Sequence, residues 1–342
     1  NELRDLLLKN RGLNSDSDRD FFLNPPQPTP KTVLKHLPDL DQDQLKKAVQ
    51  KIKEAIKKKR PIIIYGDYDC DGIAATAILW QTIYDLGGNT LPFIPHREKH
   101  GYGLNQSGLD DALELFEQED PLIITVDNGI SSQKIAQDIK DSPADLIITD
   151  HHQPPQKLPV AQSIVHSIHT SGSAIAWLLA SSLSQKTDHL DLAALGTVCD
   201  VLPLTGVNRM IVKAGLQKLR DTDNPGLKAL CQVSAVDPKQ IQTYHLGFVL
   251  GPRINASGRL DHGLKALRLL TTTNPARAKK IAQELDQLNR QRQDLTATHT
   301  RQTISQFTQL PQLPPILLAA SSEFHEGIIG LIAAKLTERF HR

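Results

Sequence analysis

Three cysteines in 342 residues, Cys70, Cys199 and Cys231, lie far apart and form no CxxC pair. That argues against a disulfide framework or a thiolate zinc site and fits a reducing cytosol. The formal net charge is only +1, and aromatic residues make up 4% of the chain. Overall charge therefore says nothing about nucleic acid, and there is no long track of base-stacking rings. No apolar run reaches the ~20 residues of a membrane helix, and the N-terminal NELRDLLLKN lacks the basic-then-apolar order of a secretory signal. A cytoplasmic chain without membrane association is expected. No internal repeat or low-complexity tract stands out. The chain starts without methionine and stops at FHR straight after a helical pattern, as a fragment of a longer protein would.

What is present is ordinary for a globular protein: 39% hydrophobic and 23% charged residues, with length enough for two or three domains. A proline-rich lead-in, NPPQPTP at 24–30, resists regular structure. Leu45, Val49, Ile52 and Ile56 then mark one apolar face of a helix. Lysines 46, 47, 51, 53, 57, 58 and 59 surround it, either as a solvated helix back or as a nucleic-acid patch. From Ile62 an α/β rhythm begins. Apolar runs Ile62 to Tyr65, Leu91 to Ile94, Leu122 to Val126 and Leu146 to Thr149 alternate with helical stretches at 73–86, 107–118 and 132–140. Continuous apolar strands imply a mainly parallel sheet covered by helices on both faces. Helical segments follow across 172–220, then a GPRINASGRL loop. A polar stretch from about 275 to 306, with Ile281, Leu285, Leu288 and Leu295 on one face, reads as a long connecting helix. Ile316 to Ala320 and a helix from Ile328 open a second, smaller α/β domain, present only in part.

In such sheets the carboxyl ends of the strands converge on the ligand crevice. Three acids, Asp67, Asp69 and Asp71, follow Tyr65; Asp127 follows Val126; Asp150, His151 and His152 follow Thr149. Carboxylates gathered this closely repel one another unless cations compensate them. Oxygen-rich ligation with an imidazole suits manganese or magnesium better than structural zinc, and paired ions are a standard apparatus for attack of water on phosphorus. Asp200, in GTVCD, is a further candidate ligand or an unremarkable acid before a turn. Singly, His151 or His152 reads equally well as a satisfied, partly buried histidine; the cluster favours the metal site.

YGDYDCDG, VDNG, TDHH and GTVCDVLPL, in this order, resemble the DHH phosphoesterase superfamily and within it the RecJ-type single-stranded-DNA-specific exonucleases. GYGLN at 101–105 and GPRINASGRL at 251–260 match that branch, and EFHEGIIGLIAAKL resembles the signature of its accessory DHHA1 domain. The resemblance covers nearly the whole chain from about residue 60. It implies a 5'→3' exonuclease releasing mononucleotides from single-stranded DNA with two manganese or magnesium ions. Asp67 and Asp69 would hold one ion, Asp71, His151 and Asp200 the other, with Asp127 between them and His152 just outside, directed at the scissile phosphate or holding a ligand in place. Tyr65 stands where phosphatase members have a histidine, a role Asp67 would take over. Cys70 and Cys199 stand where a small apolar residue and alanine are usual, and Glu326 where proline is common. The implied domains are a lead-in over 1–45, a DHH catalytic domain over 46–270, the connecting helix over 271–310 and the start of DHHA1 over 311–342.

Substrate phosphates need cationic and polar groups beyond the metals. Arg97, and Arg253 with Arg259 flanking Asn255 and Ser257, supply guanidinium, amide and hydroxyl donors on two glycine-rich loops, the alternative for the second being a surface turn with Ser257 as a helix cap. Tyr102 either stacks on a terminal base or anchors its loop. The resemblance places His325, Gly327 and Gly330 across the crevice. It also implies DNA repair or replication partners, such as a single-strand-binding protein or a helicase, and a monomer is expected. Two rival readings remain: a hydrolase of short oligonucleotides or cyclic dinucleotides with the same acids, and a scaffold that has lost its chemistry. Intact clustered carboxylates count against the scaffold.

Overall fold

The computed structural model describes residues 2–116 and 120–342. Short helices α1 (Glu2–Lys9), α2 (Asp16–Leu23) and α3 (Pro30–Lys35) form the N-terminal wrap. The proline cluster ends by starting a helix: Thr29 caps α3 and Pro30 fills its first turn, where no backbone N–H is needed. Helix α4 (Gln42–Lys57), capped by Asp41, buries Leu45, Ala48, Ile52 and Ala55. Val49 and Ile56 sit half-buried at the edge of that face.

Five strands follow: β1 (Ile62–Tyr65), β2 (Thr90–Phe93), β3 (Leu122–Val126), β4 (Asp145–Asp150) and β5 (Ser163–His166). They form one sheet in the order β2-β1-β3-β4-β5, and every pairing is parallel. The expected architecture is therefore found, with β5 added at the edge. Its SIVH is short and alternates buried with half-buried positions, so its apolar signal is weak. Alternation divides the sheet between two cores. Ile62, Ile64, Leu122, Ile124, Val126, Ile147 and Val165 pack with α4 and two further helices, α5 (Cys70–Asp85) and, later in the chain, the helix at 172–184. Ile63, Tyr65, Ile123, Leu146 and Ile148 face the other side. After α6 (Arg97–His100), helices α7 (Gln106–Leu113) and α8 (Gln133–Lys140) cover that second face. The expected helix at 107–118 ends as a 3-10 turn at Phe116, and its last two positions lie outside the described residues.

Beyond the sheet come α9 (Gly172–Ser184), α10 (Leu190–Cys199), α11 (Gly206–Arg220), α12 (Pro225–Val233) and α13 (Thr243–His245). A π turn over Leu246–Leu250 leads into α14 (Gly251–Leu260), followed by α15 (Leu264–Thr271), α16 (Pro275–Thr308) and α17 (Glu326–Phe340). Here the structure corrects the sequence reading: GPRINASGRL is a helix, not a loop. Its proline lies in the first turn, where it is tolerated, and packing of Ile254 and Ala256 into the core outweighs the poor helix propensity of its glycines. Gly258 is there for close approach, since a Cβ on it would meet the Tyr68 carbonyl at 2.2 Å.

The 34 residues of α16 span about 50 Å at 1.5 Å per residue and form the expected connector. Residues 316–320, expected to open an α/β unit, form no strand; Ile316 and Leu318 are exposed and have no neighbouring strand to satisfy their backbone among the described residues. Helix α17 packs instead on α14 and α16.

Candidate metal centre

The carboxyl ends of β1, β3 and β4 deliver the acidic residues to one place. Asp67 leaves β1 directly and is buried, its Oδ1 accepting the Tyr68 N–H at 2.7 Å. Asp69 caps α5, accepting the Gly72 N–H at 3.0 Å. Asp71, in the first turn of α5, is also buried; its carboxylate accepts the N–H groups of Gly172 (2.7 Å) and Ser173 (3.1 Å) at the start of α9. Helix N-termini favour an anion there. Asp127 follows β3 with φ 64°, a left-handed conformation that asparagine and aspartate tolerate better than most residues. Asp200 caps the C-terminal end of α10.

His151 is the hub. Its Nε2 lies 3.1 Å from Asp127 Oδ1, 3.6 Å from Asp200 Oδ2 and 4.0 Å from Asp71 Oδ2. Three sets of donor atoms each fall within 4.8 Å of one another: Asp67, Asp69 and Asp127; Asp71, His151 and Asp200; Asp127, His151 and His152. No lysine or arginine forms an ion pair with any of these acids among the described residues. Burial, then the charge of Asp69, pushes Asp67 up to about 8 and Asp71 up to about 6. Burial and then Asp71 raise Asp200 to about 7, and the same causes move Asp127 well above the usual carboxylate range. Burial and the neighbouring His152 lower His151 to about 4, which keeps its imidazole neutral and able to ligate.

These residues fit a divalent cation. Asp127 Oδ1 is buried without a hydrogen-bond donor, although His151 stands close to it. Such an orphaned acceptor is costly, and so is a nest of uncompensated carboxylates. A set of carboxylates with one neutral imidazole is a hard, oxygen-rich ligand sphere suited to manganese or magnesium.

Two glycines that sequence reasoning missed make this approach possible. A Cβ on Gly172 would lie 2.4 Å from Asp127 Oδ1, and one on Gly196 would lie 2.3 Å from Asp71 Oδ1. Ser171, which caps α9, is the only local signal of the first; nothing local marks the second.

Asp150 plays a different part from the other acids. Its Oδ1 accepts His152 Nδ1 at 2.7 Å and the His151 N–H at 2.7 Å, and its Oδ2 accepts the Ile130 N–H at 2.9 Å. Burial works to raise Asp150, but these partners, His152 foremost, outweigh it and hold the carboxyl below its ordinary value. The same hydrogen bond raises His152. His152 Nε2 meets the Tyr102 hydroxyl at 3.0 Å, so Tyr102, itself exposed, reaches the cluster through this imidazole.

The remaining sequence-selected residues separate into two groups. Arg97 lies over the Tyr68 ring at 4.1 Å and donates to the Gly258 carbonyl at 3.0 Å. Arg259 donates to the Gly327 carbonyl at 2.9 Å; burial, then the charges of Arg97 and Arg292, lower its pKa while Asp69 opposes them. Arg97 and Arg259 thus sit within electrostatic reach of Asp67 and Asp69, and Arg292, beside Arg259 on polar-looking α16, went unnoticed in the sequence. Arg253 points elsewhere, pairing with Asp286 at 2.9 Å and donating to the Val249 carbonyl at 2.6 Å. Asn255 accepts the Cys70 N–H at 2.7 Å and so holds the start of α5. Ser257 is fully buried and donates to the Ile254 carbonyl at 2.7 Å, neither facing a cleft nor capping a helix. His325 caps α17 through the Gly327 N–H and lies 3.5 Å from Glu98. Gly327 allows α17 to touch the Arg259 carbonyl, where a Cβ would stand at 2.0 Å, whereas Gly330 has open space around it.

The DHH family N-terminal domain matches residues 61–197, the segment that carries all these acids except Asp200. A crystal structure of exonuclease RecJ bound to manganese superposes with a TM-score of 0.77 at 33% identity, covering 87% of this chain and 78% of that one. The chain belongs to the RecJ branch of the DHH family. RecJ from Thermus thermophilus in complex with Mn2+ superposes with a TM-score of 0.79 at 31% identity, over 98% of this chain and 48% of that one. In sequence, the single-stranded-DNA-specific exonuclease RecJ of Bacillus subtilis is 36% identical over 309 residues, 87% of this chain and 39% of its own length. The corresponding protein of Escherichia coli is 33% identical over 87% of this chain and 57% of its own. The chain therefore spans about two fifths to just under three fifths of the curated RecJ relatives it matches. No helix among the described residues is long and apolar enough to cross a membrane.

Proposed function

We propose that this chain is the catalytic core of a RecJ-type exonuclease that hydrolyses single-stranded DNA from its 5' end to 5'-mononucleotides. The observation that carries the reading is the meeting of Asp67, Asp69, Asp71, Asp127, His151 and Asp200 in overlapping donor sets that share Asp127 and His151. Asp67 and Asp69 would hold one ion, Asp71, His151 and Asp200 a second, with Asp127 common to both. Two manganese or magnesium ions bound there would lower the pKa of the attacking water and neutralise phosphoryl oxygens.

The chain's own residues do the rest. Arg97, Arg259 and Arg292 carry the positive charge that draws the phosphate backbone towards the acids. Asp150 fixes the ring of His152 so that Nε2, the nitrogen now meeting Tyr102, is presented to the phosphate oxygens or the leaving group. Asn255 and the α9 N-terminus keep α5 and Asp71 in register with Asp127. Residues 46–270 then form the catalytic domain, 271–310 the connector and 311–342 the beginning of the accessory domain, the lead-in at 1–45 packing on α9 and α11. A cytoplasmic setting, a monomer, and repair or replication partners such as a single-strand-binding protein or a helicase complete the proposal.

The test is digestion of 5'-labelled and 3'-labelled single strands of several lengths, with and without manganese, by this chain and by Asp127→Asn. Manganese-dependent release from the 5' end, lost in Asp127→Asn, is the expected result. Digestion from the 3' end, or activity without a divalent ion, would sink it. Equal turnover of dinucleotides and long strands would favour a small-substrate phosphodiesterase instead.

A further inference from the structure

Phe248 is 73% exposed and Tyr244 is 61% exposed, and their rings stack on each other at 5.3 Å with an interplanar angle of 23°. Phe248 is the only phenylalanine among the large exposed hydrophobics of the described residues. Nothing in the core uses either ring. Their segment is unusual in its backbone: the helix from Thr243 to Leu260 widens into a π turn over Leu246–Leu250, a feature that often marks functional sites. The turn buries Leu246 and Leu250 and leaves Phe248 outside.

The place of this turn gives the rings a use. A Cβ on Gly247 would touch Val198 at 3.4 Å, the Cys199 thiol donates to the Leu246 carbonyl at 3.5 Å, and Gly251 lies against Cys199. The π turn is thereby clamped to the last residues of α10, and the next residue is Asp200, 3.6 Å from His151. Val201, one further on, is 86% exposed. The segment that carries both rings thus packs on the end of α10 that delivers Asp200 and the exposed Val201, while Tyr102 reaches the same cluster through His152. A second stacked pair, Trp80 and Tyr84, lacks this position. It lies towards the far end of α5, about 20 Å of helix from Asp69.

We propose that Tyr244 and Phe248 form a stacking platform for an unpaired nucleobase of the strand whose phosphate the acid cluster handles. The inference rests on the single-strand nuclease reading and adds a subsite to it. Every base has a π-face, so the platform supplies affinity without sequence preference, and it takes a base that is free of its duplex stack. Such contacts provide strand selectivity that phosphate-gripping arginines alone do not.

The test measures binding of an oligodeoxythymidine and of an equally long abasic strand to the uncleaving Asp127→Asn chain, with and without Phe248→Ala, with Tyr84→Ala as control. Phe248→Ala should weaken the base-bearing strand about ten-fold and leave the abasic strand unchanged, and Phe248→Trp should restore binding. In the cleaving parent the loss should fall on KM rather than kcat. Equal weakening of both strands, or no weakening of either, overturns the platform. So does a change confined to self-association or to capture of another protein. If the parent chain neither binds nor cleaves single strands, the nuclease reading itself has failed, a result distinct from parental binding that Phe248→Ala leaves intact.

Discussion

Gly172→Ala puts one methyl group against the acid cluster while changing no charge. Its Cβ would lie 2.4 Å from Oδ1, 2.6 Å from Cβ and 2.7 Å from Cγ of Asp127. Ordinary contact for such atoms is roughly 3.5 Å, so the carboxylate must retreat by about 1 Å. It has little room: Asp127 is buried, its backbone is left-handed, and its N–H is bonded to the Thr149 carbonyl at 3.0 Å. Overpacking costs about 1–3 kcal/mol, and the better helix propensity of alanine offsets at most ~1 kcal/mol of that. Net destabilisation is thus about 0–3 kcal/mol, whereas a 1 Å error in a catalytic group costs on the order of 100-fold in rate. The variant should remain folded, with a melt lowered by no more than about 3 kcal/mol allows, yet bind manganese more weakly and cleave about 100-fold more slowly. Gly330→Ala is the control, because nothing lies within 4 Å of its Cβ position. It should match the parent in rate and gain up to ~1 kcal/mol in stability. Calorimetry with manganese, a thermal melt and a nuclease time course read all three quantities. Manganese affinity and rate within two-fold of the parent in Gly172→Ala would refute the reasoning.

Metal-free stability should depend on pH through the raised acids. Asp67 at about 8 and Asp200 at about 7 stay protonated in the folded chain while the unfolded chain releases those protons near 4, so stability falls as pH rises towards 8. His151, held near 4, works the other way only below its ordinary value of 6.5, so between 6.5 and 8 the acids act without it, joined by His152, whose raised pKa adds to the fall in the same direction. The melting temperature in chelator should drop across that window and manganese should restore it at the upper end; a flat profile would contradict the assignment. Asp150→Asn should lower kcat about 100-fold with manganese binding retained, because a neutral amide has a single acceptor oxygen for the donors that Asp150 now serves with two and no longer supplies the charge that holds the proton on His152 Nδ1; unchanged kcat would remove His152 from the chemistry. Arg253→Met should cost about 1–3 kcal/mol in a denaturant melt, softened because Arg290 also pairs with Asp286 at 2.8 Å, and should leave KM nearly unchanged. Arg259→Met should raise KM instead; the reverse pattern would exchange their roles.

The parallel sheet was legible because strands buried on both faces read as unbroken apolar runs, and because acids placed just after such runs must meet at one edge. That is how Asp69, Asp127 and His151, spread over more than eighty residues, could be assembled on paper. The helical state of 251–260 was not legible, since glycine and proline there argue locally for a loop, and only packing against Tyr68 and Cys199 overrides them. For the same reason Arg253 and Ser257 looked available for substrate, although Asp286 and the Ile254 carbonyl already engage them. Gly172 and Gly196 were invisible because what they make room for, the carboxylates of Asp127 and Asp71, is distant in sequence. Residues 316–320 have strand-like composition but no strand beside them among the described residues, and composition alone does not supply one.

Manganese titration of the metal-stripped chain, followed by calorimetry and electron paramagnetic resonance, addresses the central claim most directly. About two ions per chain with a spin-coupled signal, falling to at most one uncoupled ion in Asp127→Asn, is the predicted result. A chain that binds no manganese, or binds it identically after Asp127→Asn, would contradict the account.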